Sequence, residues 1–300
     1  MVRPPFTIIV DEGDAALAES AADILSEALA EYAPRLPAGD APIRVVIAES
    51  MAAFQHHAGP MAALDVNGIA RSWEGLIVVK APYLTPSQSD FRGTLRHELV
   101  HVLLFRNSDT DRMPRWLNEG ISMMLANEFR WESSFSVARM FVESRLIEYR
   151  WLDQVLRAPE SGMQFGDAYA QSLSMTRFLH DEIGAEAFWR VIAALPEMTF
   201  GDALRTHGGL SPQDLWQRYR GSLWSLAFWS ALTPTSLLGF GGFLVIAAWF
   251  VKRRSNNRTI ERWEREDFEE AFYGGNLKTW DELVEDPDAW KRRNDDSDPR

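Results

Sequence analysis

Residues 97–101 read His-Glu-Leu-Val-His, and that spacing becomes a site when it lies on an α-helix. Positions i and i+4 then share one face, so both imidazoles reach a single cation from one rigid element. Glu98 lies about 100° further round the helix. There it reaches a water polarised by such a cation without itself being a ligand. A carboxylate so placed takes a proton as the water attacks a carbonyl and returns it to the leaving amine. Leu95, Leu99, Val102 and Leu103 fall on the opposite face and supply the buried side of the helix.

A catalytic zinc ion (Zn2+) takes three protein ligands and keeps one position open. His97 and His101 supply two. The next predicted helix carries Trp116-Leu-Asn-Glu-Gly120, and Glu119 is the expected third. Ligating imidazoles usually donate their second N–H to an outer partner, for which the sequence offers both Asn118 and Asp167. His56 and His57 fall in an irregular stretch and read as surface or rim residues. His180 and His207 fall at helix ends and read as capping or solvent-facing.

The chain has 300 residues, 46% of them hydrophobic, enough to bury a core of one or two domains. Its formal net charge of -12 argues against nucleic acid as a partner, because phosphate binding needs a concentrated basic surface. With no cysteine, disulfide scaffolds, thiolate metal sites and cysteine nucleophiles are excluded.

Residues 1–86 alternate strand-like and helix-like patterns. Phe6–Val10, Ile43–Ala48 and Leu76–Lys80 read as strands, and Ala15–Tyr32 repeats its apolar residues at helical spacing. The stretch between the last two strands reads as irregular, with a short helix over residues 51–56. From residue 87 the pattern is helical. Ser87-Gln-Ser-Asp90 resembles a capping box opening the helix of the His-Glu motif, which runs to about residue 106. Further helices are expected at 114–129, 134–151, 167–183, 185–195, 199–207 and 212–226.

Together with Trp-Leu-Asn-Glu-Gly at this distance, His97–His101 resembles the gluzincins, metallopeptidases with two His and one Glu on zinc. The Asn-Glu-Gly context is shared with the aminopeptidase-N family. Closer still is the resemblance to the peptidase MA-like family of bacterial domains. It rests on the strand before the active helix (GLIVVKAP) and on the Thr94–His101 run, and more loosely on 167–172 and 208–216. It implies an α+β fold: a small sheet packed on the active-site helix, followed by a helical subdomain over residues 87–226. It implies too that the strand near Ile77–Val79 borders the cleft, where an extended peptide could add to its edge. By the same resemblance Tyr169, from the later helices, donates to the developing oxyanion. The aminopeptidase-type Gly-x-Met-Glu-Asn run is missing, which favours an endopeptidase.

Residues 231–251 contain no charge and, at about 1.5 Å per residue, match the thickness of a bilayer's hydrocarbon core. Trp229 and Trp249 stand near the ends and Lys252-Arg253-Arg254 follow. The expectation is a single transmembrane helix, with the catalytic head outside the cell membrane and a charged, partly disordered tail (252–300) in the cytoplasm. One short amphipathic helix is expected in that tail over 260–272. Residues 1–10 hold no export signal, so this topology expects a missing N-terminal signal, lying upstream of Met1 or already removed, the alternative being the reversed orientation. The sequence thus reads as a membrane-anchored zinc endopeptidase acting on peptide or protein substrates. A catalytically silent zinc-binding or protein-binding module is the alternative, which the retained Glu98 disfavours.

Overall fold

The computed structural model describes residues 1–10, 14–59, 66–85, 90–127, 131–157 and 162–232. The first strand, β1 (Val2–Arg3), pairs antiparallel with β2 (Phe6–Val10). Asp14 then caps α1 (Ala15–Tyr32), its carboxylate accepting from the Ala16 and Leu17 N–H groups, which leaves fewer orphan donors at the helix start. β3 (Ile43–Ala48) follows, then α2 (Met51–Ala58) capped by Ser50, β4 (Gly68–Arg71) and β5 (Leu76–Lys80).

These strands form one five-stranded sheet in the order β1-β2-β3-β5-β4. β2, β3 and β5 are parallel, and β4 closes the far edge antiparallel to β5. The period-two rule sorts their side chains cleanly. Ile8, Val45, Ile47, Ile77 and Val79 point to the face covered by α1 and by the later helices. Val46, Ala48, Leu76 and Val78 point to the other face, against Phe54 and Ala58 of α2. Every residue of β5 is buried, because it is covered on both faces, and it therefore reads as an unbroken apolar run.

Two expectations about this sheet are corrected. The stretch before β5 is not wholly irregular: Gly68–Arg71 is a strand, drawn into register by Ile69↔Val78 and Ala70↔Ile77. In consequence β5 is not the strand bordering the cleft. It lies between β3 and β4, and the edge belongs to β4.

The helical part begins with α3 (Asp90–Asn107) and α4 (Arg115–Leu125); of the expected capping box only Asp90 is among the described residues. The single helix expected over 134–151 is two, α5 (Trp131–Val142) and α6 (Tyr149–Arg157). Between them the chain turns through Ser144 at φ 57°. Buried polar groups of the next helix, α7 (Gly162–Ile183), hold that turn. The Gln171 carboxamide exchanges hydrogen bonds with the Ile147 backbone N–H (3.0 Å) and C=O (2.5 Å), and Asp167 meets Arg145 at 3.4 Å. α8 (Ala185–Ala194), α9 (Phe200–Ala203) with a π-helical turn at Leu204–Gly208, and α10 (Pro212–Leu232) follow.

The sheet and these helices share one core, which runs from Phe6 to Leu223. The mixed α+β class stands, but its expected ending in a transmembrane helix does not: among the described residues no helix is long and apolar enough to cross a membrane. α10 has the length, at 21 residues, but carries Asp214, Arg218 and Arg220, whose charges a bilayer core excludes. Beyond Leu232, the expected span at 231–251, the tail and the helix at 260–272 lie outside the described residues. The chain divides into two units, Met1–Ser230 and Ala231–Arg300.

Candidate metal centre

The apolar face of α3 decides where its histidines point. Leu95, Leu99, Val102 and Leu103 are fully buried, in one cluster with Ile77 and Val79. That packing turns His97 and His101 toward a cleft of about 1350 Å³. Their rings stand edge to face at 4.7 Å, with the two Nε2 atoms 3.0 Å apart.

α4 brings the third group. Its first N–H donors, those of Arg115 and Trp116, are each accepted by the Asp153 carboxylate of α6 at 3.0 Å. Trp116, Leu117 and Ile121 are buried in the core, Trp116 edge-on to Phe200. The remaining face presents Asn118, Glu119 and Ser122 to α3. Glu119 Oε2 lies 3.5 Å from the Nε2 of both His97 and His101. Helix α7 presses close behind. A methyl at Gly120 would lie 2.0 Å from Thr176 Oγ1 and 2.6 Å from the Ser172 carbonyl oxygen, so no other residue fits there without moving α4.

The donor set suits a cation. Asn118 Oδ1 lies 2.6 Å from His101 Nδ1. A carboxamide oxygen only accepts, so Nδ1 carries the proton and Nε2 turns its lone pair to the cluster. Ser122 Oγ, 3.2 Å from the same Nδ1, donates its own proton to the Asn118 carbonyl, which agrees with that tautomer. Glu119 Oε2 is buried without a hydrogen-bond partner, since 3.5 Å is beyond ordinary reach. The His101 Nε2 lone pair and the Glu119 carboxylate thus converge beside His97 Nε2. With zinc–ligand bonds of about 2.0–2.1 Å, a tetrahedral site has ligand–ligand edges of roughly 3.3–3.4 Å, and the separations of 3.0, 3.5 and 3.5 Å bracket that value. Burial acts to raise the Glu119 carboxyl; when the two imidazoles are protonated, their charge and hydrogen bonds outweigh it and hold the group well below the usual carboxylate range.

Glu98 lines the same cleft and is nearly buried, 7% exposed. Gly68 of β4 lies directly against it: a Cβ there would meet Thr94 Cγ2 at 2.6 Å and Glu98 Cγ at 2.9 Å. Tyr169 of α7 also faces the cleft, edge-on to Phe165 at 4.6 Å. Burial and the charges of Glu119 and Glu98 push its phenol well above the ordinary tyrosine range, so it stays neutral.

The structure therefore gathers His97, Glu98, His101, Glu119 and Tyr169 around one cleft. Of the two candidate outer partners it places Asn118 on His101, while Asp167 is engaged by Ser136, Arg139 and Arg145. His56 and His57 sit on α2, across the sheet, and neither they nor His180 or His207 are among the described cleft-lining residues. Sequence reasoning passed over Asp153, whose place is set by the α4–α6 crossing and leaves no local signal. It also passed over Gly68, although an isolated glycine beside β-branched residues is a sign of close backbone approach. Compared with known proteins, the sequence matches no protein-family profile and no curated protein, so a functional reading rests on the site itself.

Proposed function

We propose that this chain is a zinc-dependent peptidase that cleaves within polypeptides. The observation that carries the reading is the convergence of His97, His101 and Glu119 on one point, with Glu98 beside them and an open cleft in front. Two imidazoles and one carboxylate, without thiolates, are a ligand set of catalytic rather than closed structural zinc. Zinc held there supplies a Lewis acid that polarises the scissile carbonyl and acidifies water.

The chain's own residues do the rest. Glu98 takes a proton from the attacking water and passes it to the amine nitrogen as the C–N bond breaks, so the acid and amine products leave balanced. Tyr169, held neutral, donates its phenolic hydrogen to the carbonyl oxygen as that atom gains charge. The edge strand β4 borders the cleft through Gly68, Ile69 and Ala70. Its outer edge, which pairs with no strand among the described residues, suits an extended peptide laid alongside as a further strand. Asn118 keeps the His101 tautomer that ligation requires.

The test is turnover of casein by the full zinc-loaded chain against Glu98→Gln. The variant is expected to keep its zinc and to lose about 10²- to 10⁴-fold in turnover, the usual contribution of a general base. A zinc-loaded wild type no more active than the variant refutes the reading and leaves a metal-binding module without catalysis.

A further inference from the structure

Four arginines line the described part of the cleft, and they differ in what holds them. Arg92 is paired with Glu27. Arg96 is paired with Glu31 at 2.6 Å and donates to the Leu125 carbonyl at 3.1 Å. These two stand near the start of α3, where the C-terminal end of α4 meets it, so α4 runs back antiparallel to α3. Arg115, at the start of α4, therefore stands at the other end of the cleft.

Arg157 belongs to that same end. Asp153 accepts the Arg115 N–H at 3.0 Å, and Arg157 lies one helical turn beyond Asp153 on the same face of α6. The two guanidinia differ in their partners. Arg115 Nη2 makes one long ion pair, 3.7 Å to Glu119 Oε1, and its Nε is buried without a hydrogen-bond partner. That carboxylate faces the two imidazoles. Arg157 is exposed and makes no ion pair or hydrogen bond among the described residues. Against these two cations the described cleft lining offers two acids, Asp111 and Glu119, the second shared with the imidazoles. The aromatic pair Phe165 and Tyr169 lines the same cleft.

We propose that Arg115 and Arg157 form a carboxylate-binding subsite, and that the cleft selects polypeptides presenting an acidic group on the α6 side of the metal cluster. This deepens the peptidase reading and rests on it for the step that follows binding. A guanidinium offers planar paired N–H donors that match a carboxylate. The partly exposed Arg115 side chain and the exposed Arg157 present such donors to the cleft. The carboxylate comes either from an Asp or Glu side chain or from the peptide's C-terminus.

The experiment separates these sources and does not depend on turnover. The full-length chain carrying Glu98→Gln is titrated with fluorescein-labelled hepta-alanine peptides, each with glutamate or glutamine at one position in turn. Every peptide is made both as the C-terminal acid and as the amide, and binding is read by anisotropy. The expected result is roughly tenfold tighter binding of one acidic register over its neutral match, the scale of one charge-assisted contact. A preference seen among the amidated glutamate peptides identifies a side chain, and one seen only between acid and amide identifies the C-terminus. Adding Arg157→Gln should bring the preference to within about twofold of unity while neutral peptides bind as before. Because Arg157 is exposed, the fold should survive, as circular dichroism will check. Equal affinities for acidic and neutral peptides, no binding of any acidic peptide, or a preference untouched by Arg157→Gln each overturn the proposal. Casein turnover by wild type that shows no acidic preference in binding overturns the subsite alone, whereas acidic preference without turnover overturns only the peptidase.

Discussion

Replacing Gly120 with alanine sets two physical effects against each other. Helix propensity alone favours alanine, by about 1 kcal/mol at an interior helix position. Packing predicts the opposite. The new Cβ would stand 2.6 Å from the Ser172 carbonyl oxygen, about 0.8 Å short of the 3.4 Å at which ordinary contact begins. A rotamer change can ease its 2.0 Å approach to Thr176 Oγ1, but neither the 2.8 Å approach to Thr176 Cβ nor the backbone contact. α4 must therefore move by most of an ångström, carrying the adjacent Glu119 with it. Metal–ligand distances tolerate only about 0.2 Å, so the shift is several times what the cluster can absorb. The expected loss is about 10- to 100-fold in zinc affinity, comparable to losing an outer partner of a ligand. Overpacking should also cost about 1–3 kcal/mol, or roughly 2–4 °C in Tm per kcal/mol for a domain of this size. Zinc affinity is measured by competition with a fluorescent chelator. Tm is measured in excess EDTA, so that loss of metal does not masquerade as loss of packing. A Gly120→Ala protein with native zinc affinity and an unchanged or raised Tm would refute this packing. Adding Thr176→Ala should restore only part of the loss, because the Ser172 carbonyl remains.

Three further outcomes follow from the same geometry. Asn118→Ala removes the acceptor 2.6 Å from His101 Nδ1 and should weaken zinc about 10- to 100-fold by chelator competition, with the far-ultraviolet dichroism unchanged. Asp153→Ala frees the two N–H groups at the start of α4 and should cost about 1–2 kcal/mol in urea unfolding; an unchanged midpoint would show that the cap is dispensable. Gly68→Ala pushes a methyl against Thr94 and Glu98 but not against the ligands, so casein turnover should fall about 10²-fold while zinc content by atomic absorption stays at the wild-type level.

The histidine spacing, the buried stripe behind it and the three apolar strands β2, β3 and β5 were legible in the sequence because each expresses a local period. Side chains separated by two or by about 3.6 residues share a face whatever the rest of the chain does. Glu119 was reached by a chemical requirement, a third ligand on the next helix. What the sequence left open depends on contacts between residues far apart in the chain. The short β4 has no alternation of its own and is a strand because β5 pairs with it. The break between α5 and α6 is held from α7 by Gln171 and Asp167. Asn118 rather than Asp167 meets His101 because α4 packs antiparallel beside α3, and Gly120 is required because α7 crosses behind it. Local periodicity determines which face of α3 carries the imidazoles. The helix crossings, whose energy is shared among many small contacts, decide which groups complete the site.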